Sequence, residues 1–280
     1  MSDLPATLVP PAPPPPPEPA ADGPRWPAWY ALLAFLTGVV GGLIVAGTVA
    51  AIAGVDSGDD SPGVVIAGTL ILDGALVGSA LMFASFVSRP RAWQFGLRPT
   101  RLRSAVGWAS LGLASFYAFS AIYSVVVNPD VKQKVTESLG ADRGTLGLIA
   151  AGLMVIAVAP AAEEFFFRGF FYKALRSRFP IVVAAAIDGA LFGLIHFDFS
   201  SAHALLLVPP LGVLGFIFCL VYERTGSIFP TIALHAFNNS LAYAVQADGG
   251  AVSAVLGPAV IAGCVLVPRL ISSRQRPLVA

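Results

Sequence analysis

Residues 28–55 read AWYALLAFLTGVVGGLIVAGTVAAIAGV, 28 consecutive positions without a charged side chain. A helix rises about 1.5 Å per residue, so ~20 such residues suffice to cross the ~30 Å hydrocarbon core of a bilayer. A helix of a soluble protein would carry an amphipathic stripe instead. Working outward, the pattern repeats in seven further segments: Gly63–Val87, Ala105–Val127, Leu146–Ala162, Ile181–Phe197, Ala204–Tyr222, Ile228–Val245 and Ala251–Val267. Of the 280 residues, 56% are hydrophobic and 12% charged, against about 25% charged in a soluble domain. These observations exclude a water-soluble globule. The fold class is all-α: a polytopic membrane protein of about eight transmembrane helices around a polar intramembrane cavity.

Three regions divide the chain. Residues 1–25 form a Pro-rich tail with eight prolines between Pro10 and Pro19, a tract that cannot build a helix or a core and is expected to be disordered. Residues 26–270 are the transmembrane domain, and residues 271–280 a cytoplasmic tail. Within the domain, Pro160 should kink or restart the fourth span, which then continues amphipathically to about Ser177. Gly38 and Gly42, at small-xxx-small spacing, allow a close helix approach. Trp26, Trp29, Trp93 and Trp108 fall near span ends, where an amphipathic ring prefers the membrane interface. Cys219 and Cys264 lie inside apolar runs without CxxC spacing and read as small packing residues.

Net charge is +1, and its distribution is more informative than its sum. Arg25, the group from Arg89 to Arg103, Lys173, Arg176, Arg178, Arg224, Arg269, Arg274 and Arg276 place 13 of the 17 basic residues on one side. Asp56, Asp59 and Asp60 fall on the other, with Lys132, Lys134 and Arg143 balanced by Asp130, Glu137 and Asp142. The positive-inside rule then puts both termini in the cytoplasm, which an even number of spans requires. Fourteen arginines against three lysines, in an Ala- and Gly-rich chain, point to a GC-rich bacterial genome and so to the inner membrane. The partners expected are the lipid bilayer and a membrane-associated protein or peptide substrate, not a nucleic acid.

A charged side chain costs about 2.5–3.5 kcal/mol at mid-bilayer, so those inside the spans need a reason. They cluster: Glu163, Glu164 and Arg168 in AAEEFFFRGFFY, His196 in LFGLIHF, His235 with Asn238 and Asn239 in LHAFNNS. Asp73 and Asp188 stand apart, in the second and fifth spans. Glu164 and Arg168 are i and i+4 with the acid first, the favourable order for an ion pair. Glu163 is rotated about 100° from Glu164 and has no sequence-local partner. An unpaired intramembrane carboxylate suits a general base or acid. His235 and Asn239 share a helix face, each able to donate to a developing oxyanion, and His196 could orient a water jointly with Glu163. Peptide hydrolysis needs that set of parts.

In this order on successive helices, Glu163-Glu164-x-x-x-Arg168, Phe192-x-x-x-His196 and His235-x-x-x-Asn239 resemble the CPBP family. This CAAX-protease and bacteriocin-processing (Abi) family includes the eukaryotic Ras-converting endopeptidase. Phe95-Gly-Leu-Arg98 is also similar to a segment of bacterial members, and the resemblance covers roughly Phe95 to Val245. It implies an α-helical intramembrane glutamic endopeptidase that cleaves near the C-terminus of its substrate, without a metal or other cofactor. By motif position it implies Glu163 as base, His196 as its partner in activating water, and His235 with Asn239 as the oxyanion site. Glu164 and Arg168 read as a structural ion pair, and Phe192 and Asn238 as supporting residues around the site; Asp188, eight residues before His196 and not part of the motif, is either such support or a local peculiarity.

Other chemistries use the same residues. Glu163, His196 and His235 could hold a Zn2+ and leave a fourth position for water, although HExxH spacing is absent and Asn239 would lack a task. Asp73 and Asp188 do not lie in the GxGD sequence of aspartyl intramembrane proteases, and no GxSG element marks a rhomboid-type serine enzyme. The reading from another class is a non-catalytic immunity or scaffolding factor, or a transporter with a polar relay. Such transporters often have duplicated halves, and the chain shows no internal repeat.

Overall fold

The computed structural model describes residues 26–56, 58–129, 135–197 and 202–274. The Pro-rich tail expected over residues 1–25 lies outside the described residues, as do Lys132, Lys134 and residues 275–280 of the expected C-terminal tail. All regular structure among the described residues is helical. In chain order the α-helices are α1 (Trp29–Ile52), α2 (Pro62–Ser85), α3 (Leu102–Val127) and the single turn α4 (Val135–Ser138). They continue with α5 (Gly144–Leu153), α6 (Ala159–Phe166), α7 (Tyr172–Arg176), α8 (Ile181–Ile195), α9 (Val208–Thr225), α10 (Phe229–Gln246) and α11 (Gly250–Arg274). Short 3₁₀ turns at Ala92–Phe95 and Ala202–Leu207 precede α3 and α9.

Each of the eight expected spans has a helical counterpart, but they are not equivalent. Six segments are long and apolar enough to cross a bilayer: Trp29–Ile52, Pro62–Ser85, Leu102–Val127, Gly144–Arg176, Ala204–Thr225 and Gly250–Leu270. The remaining two are α8 and α10. At 15 residues, α8 is only about 22 Å long, and α10 is made polar by His235, Asn238 and Asn239. The chain is a polytopic helical membrane protein whose intramembrane ionisable residues lie on α8 and its end, on α10, within the long fourth span and, for Asp73, on α2.

Pro160, where a kink or a restart of the fourth span is expected, does not end the helix. Helix runs through it from Gly144 to Arg176, with π-helical turns at Met154–Val158 and Phe167–Phe171 on either side of α6. A proline supplies no N–H and clashes with the preceding turn. Widening that turn by one residue accommodates the ring without ending the helix. The Ala159 N–H accordingly bonds to Met154 O, five residues back.

Pairwise packing follows the small residues. α1 lies along α2, where a side chain at Gly38 would meet Leu76 Cδ2 at 2.8 Å and one at Gly42 would meet Leu72 Cδ1 at 2.9 Å. α8 lies along α9 even more closely, since a Cβ on Gly189 would stand 2.5 Å from Gly212 O. α10 packs on α11, and α3 on α9. Phenylalanines 166, 167, 170, 171, 192 and 218 fill the centre between these pairs.

The Phe95–Arg98 segment clasps one end of the bundle. Gly96, at φ 76°, turns the chain in a left-handed conformation and presses on the Tyr222 ring, where a Cβ would come within 2.7 Å. Arg98 Nε donates to Gly226 O (2.6 Å), Ser227 Oγ to Arg98 O (2.7 Å), and the Ile228 N–H to Gly96 O (3.0 Å). Lys173 Nζ donates to Gln94 O (2.5 Å), and the Phe95 ring stacks on Phe165. The α6–α7 segment and the start of α10 are thereby held by one loop. Trp26 is buried here against Phe95 and Phe170.

Candidate active site

The Glu164–Arg168 pair expected from i, i+4 spacing is present at 2.9 Å and fully buried. Arg168 does more than neutralise one acid. Its Nη2 donates to Gly215 O (2.9 Å) and stands 3.6 Å from Asp188 Oδ1. Its guanidinium carbon lies over the rings of Phe192 (4.6 Å) and Phe218 (4.9 Å). Asp188 is therefore not isolated: one guanidinium serves two carboxylates inside an aromatic cage. Burial of this group is tolerable because each charge meets an opposite one and the cation also meets ring faces.

Glu163 lies on the neighbouring face of α6, with 14% of its side chain accessible, against none for Glu164 and Asp188. Of the carboxylates around Arg168 it is the one with exposed side-chain surface, although its Oε2 is itself buried. Its Oε2 stands 3.9 Å from His196 Nε2 and 4.0 Å from His235 Nε2 and has no direct hydrogen-bond partner among the described residues. The structure thus gathers one acid and two imidazoles from three helices. His196 lies about 22 Å along α8 and His235 about 10 Å along α10. These rises meet at one oxygen atom because the helices are tilted or offset along their axes.

The other ring nitrogens define how each imidazole is used. His196 Nδ1 is 2.7 Å from Phe192 O, and a carbonyl only accepts, so Nδ1 carries the proton. In the neutral ring, Nε2 then presents a lone pair toward Glu163. His235 Nδ1 is 3.1 Å from Glu164 Oε1, the oxygen that also accepts from Arg168, so here too Nδ1–H is the donor. His235 Nε2 consequently donates into the site only when the ring carries both protons. Glu164, behind the ring, is placed to stabilise that charge. Glu164 is thus joined to the cluster as well as to Arg168.

Asn239 is held from the side of the fourth span. Its Nδ2 donates to Val155 O at 2.8 Å. With Ala159 N–H bonded to Met154 O and no N–H on Pro160, the helix's own ladder passes this carbonyl over, and the asparagine satisfies it. Asn238 Nδ2 donates to Asn239 Oδ1 (3.3 Å), and the Tyr117 hydroxyl to Asn238 Oδ1 (3.2 Å). Neither Tyr117 nor Val155 was among the residues expected at the site. The missing N–H of Pro160 was a readable signal for a free carbonyl nearby; nothing local marks Tyr117. Asp73, on α2 where it packs against α6, is buried and within Coulombic reach of Glu163.

The zinc alternative asks more than the cluster offers. Tetrahedral zinc with bonds of 2.0–2.1 Å sets two donors about 3.3 Å apart, closer than the 3.9 and 4.0 Å found here. Among the described residues, no three His, Cys, Asp or Glu side chains are grouped to hold a metal ion. A separate apolar cavity of about 360 Å³ lies between α3, α10 and α11. None of Glu163, His196, His235 and Asn239 lines it, so it is not this site.

A bundle of this kind, with a buried acid–imidazole cluster drawn from three helices, defines an intramembrane-site protein of the helical class. Residues 145–241 match the family described as Type II CAAX prenyl endopeptidase Rce1-like. Over 96 residues the chain is 33% identical to YyaK of Bacillus subtilis, an uncharacterised protein, covering 33% of this chain and 32% of that one. Over 102 residues it is 31% identical to YdiL of the same organism, a candidate membrane peptidase by name, covering 35% and 39%. About a third of the chain is thus similar to the Rce1-like endopeptidase family. The matches span roughly a third of the length of these relatives, and no solved structure matches the chain.

Proposed function

We propose that the chain is a metal-independent membrane endopeptidase in which Glu163 and His196 activate a water. The observation that carries this reading is the spacing of Glu163 Oε2 from the two imidazoles, 3.9 and 4.0 Å. Such gaps are too long for direct hydrogen bonds and short enough for a single water to bridge. Glu163 Oε2 and the lone pair of His196 Nε2 are both acceptors, so together they take the two water protons and leave the oxygen lone pair for a scissile carbonyl. As the oxygen attacks, one proton passes to Glu163. The tetrahedral oxyanion is met by the second Nδ2–H of Asn239 and by Nε2–H of doubly protonated His235. Collapse breaks the C–N bond, and Glu163 returns its proton to the leaving amine.

The substrate class that suits this site is a peptide precursor or a protein with a C-terminal sorting segment, presented at the end of a membrane helix. The test uses the purified full chain in bilayers and a quenched fluorescent peptide library. Cleavage is expected to persist in strong chelator with less than one zinc per chain, and Glu163→Gln is expected to abolish it. One tightly bound zinc per chain, with activity lost on its removal and regained on its return, would overturn the metal-free reading.

A further inference from the structure

The three hydrogen bonds that end on Val155 O all run in one direction, from Tyr117 through Asn238 and Asn239. Tyr117 sits on α3, which contributes no residue to the three motifs. A side-chain amide has two nearly isosteric orientations, one presenting N–H and the other oxygen. For Asn239 the choice matters. With Nδ2 on Val155 O, its second N–H remains available; with the amide reversed, an oxygen would face a developing oxyanion and repel it. Val155 O favours the productive orientation from one side, and Asn238 Nδ2 favours it from the other by occupying Oδ1. Asn238 has the same ambiguity, and the Tyr117 hydroxyl resolves it by donating to Asn238 Oδ1. Tyr117 itself is 40% exposed.

We infer that Tyr117 is a positioning residue for the proposed reaction: through Asn238 it locks the Asn239 amide so that an N–H faces the oxyanion. The inference rests on Asn239 acting as an oxyanion donor, and the experiment separates the two. The variants Tyr117→Phe, Asn238→Leu, Asn239→Ala and Tyr117→Phe/Asn239→Ala are made in the full chain. Steady-state kinetics use one peptide chosen from the quenched library for cleavage by the unaltered chain, with thermal melting in parallel. Asn239→Ala should lower kcat by ~10²–10³, and Tyr117→Phe by about tenfold, a fraction of the loss of the donor itself. For both, KM and melting temperature should stay near those of the unaltered chain. Asn238→Leu should match Tyr117→Phe or exceed it, and Tyr117→Phe should cost nothing further once Asn239 is alanine. Unchanged kcat in Tyr117→Phe, or an undiminished effect in the Asn239→Ala background, overturns the inference while the oxyanion assignment stands. Unchanged kcat in Asn239→Ala overturns both.

Discussion

Glu163 and Glu164 are adjacent in sequence and occupy unlike surroundings. Glu164 accepts from Arg168 and from His235, and a glutamine there keeps an acceptor oxygen but removes the charge that strengthens both contacts. Arg168 would still keep Asp188, 3.6 Å away, and Gly215 O. Glu164→Gln alone should therefore destabilise the protein by less than the ~3–5 kcal/mol typical of stranding a buried charge. That full loss is expected only for Glu164→Gln combined with Asp188→Asn. Glu164→Gln should also slow turnover, since His235 loses the anion that fixes its tautomer and steadies its charged form; losses of about 10–100-fold are typical of such support. Glu163→Gln should leave stability near normal. Denaturant unfolding in detergent, run beside peptide turnover, separates the three variants. Equal destabilisation by Glu163→Gln and Glu164→Gln would contradict the division of labour.

At the scale of the element, the informative feature is the fourth span, where two π turns bracket the eight residues of α6. Each π turn adds a residue without adding a full turn, so it changes the face on which everything beyond it points. Pro160 gives the first of these turns its reason. Pro160→Ala restores an N–H and allows that turn to close as ordinary α-helix, with Val155 O drawn into the ladder and away from Asn239. The expected result is a melting temperature equal to or above that of the unaltered chain, because a helix-interior proline is removed, with clearly reduced turnover. Circular dichroism melting and the peptide assay check it. If Pro160→Ala keeps full activity, the π turn is not needed for the site.

Over the whole molecule, the two ends of the bundle are chemically distinct. The loop before α3, the end of α7 and the α9–α10 turn converge through Arg98 on Gly226 O, Lys173 on Gln94 O and Arg176 on Glu223. This gathers Arg98, Lys173 and Arg176, which lie up to 78 positions apart in the sequence. At the other end, the start of α2 meets the turn after α4, where a Cβ on Gly140 would touch Pro62. We expect the arginine-rich end, and both termini with it, to face the cytoplasm. Reporter fusions at Arg98 and after the last residue should both read cytoplasmic; a periplasmic signal from either would reverse or break this arrangement.

Part of this architecture was legible without coordinates. Span length and composition report the solvent around a helix, and i, i+4 spacing reports its own surface; both are local properties. Hence the membrane-spanning helices, the Glu164–Arg168 contact, the small-residue face at Gly38 and Gly42, and a polar cluster drawn from the later spans could be read directly. What the sequence could not determine were the contacts made across many residues. Asp188 meets Arg168, Glu164 backs His235, and Tyr117 reaches Asn238 only because helices cross at particular angles and heights. Those crossings depend on where glycines let backbones approach, where Pro160 widens a turn, and where one loop clasps three elements. Such packing is a property of pairs of helices, so only the tertiary structure decided that Glu163 faces both histidines at once, that Glu164 also backs His235 and that Arg168 also meets Asp188.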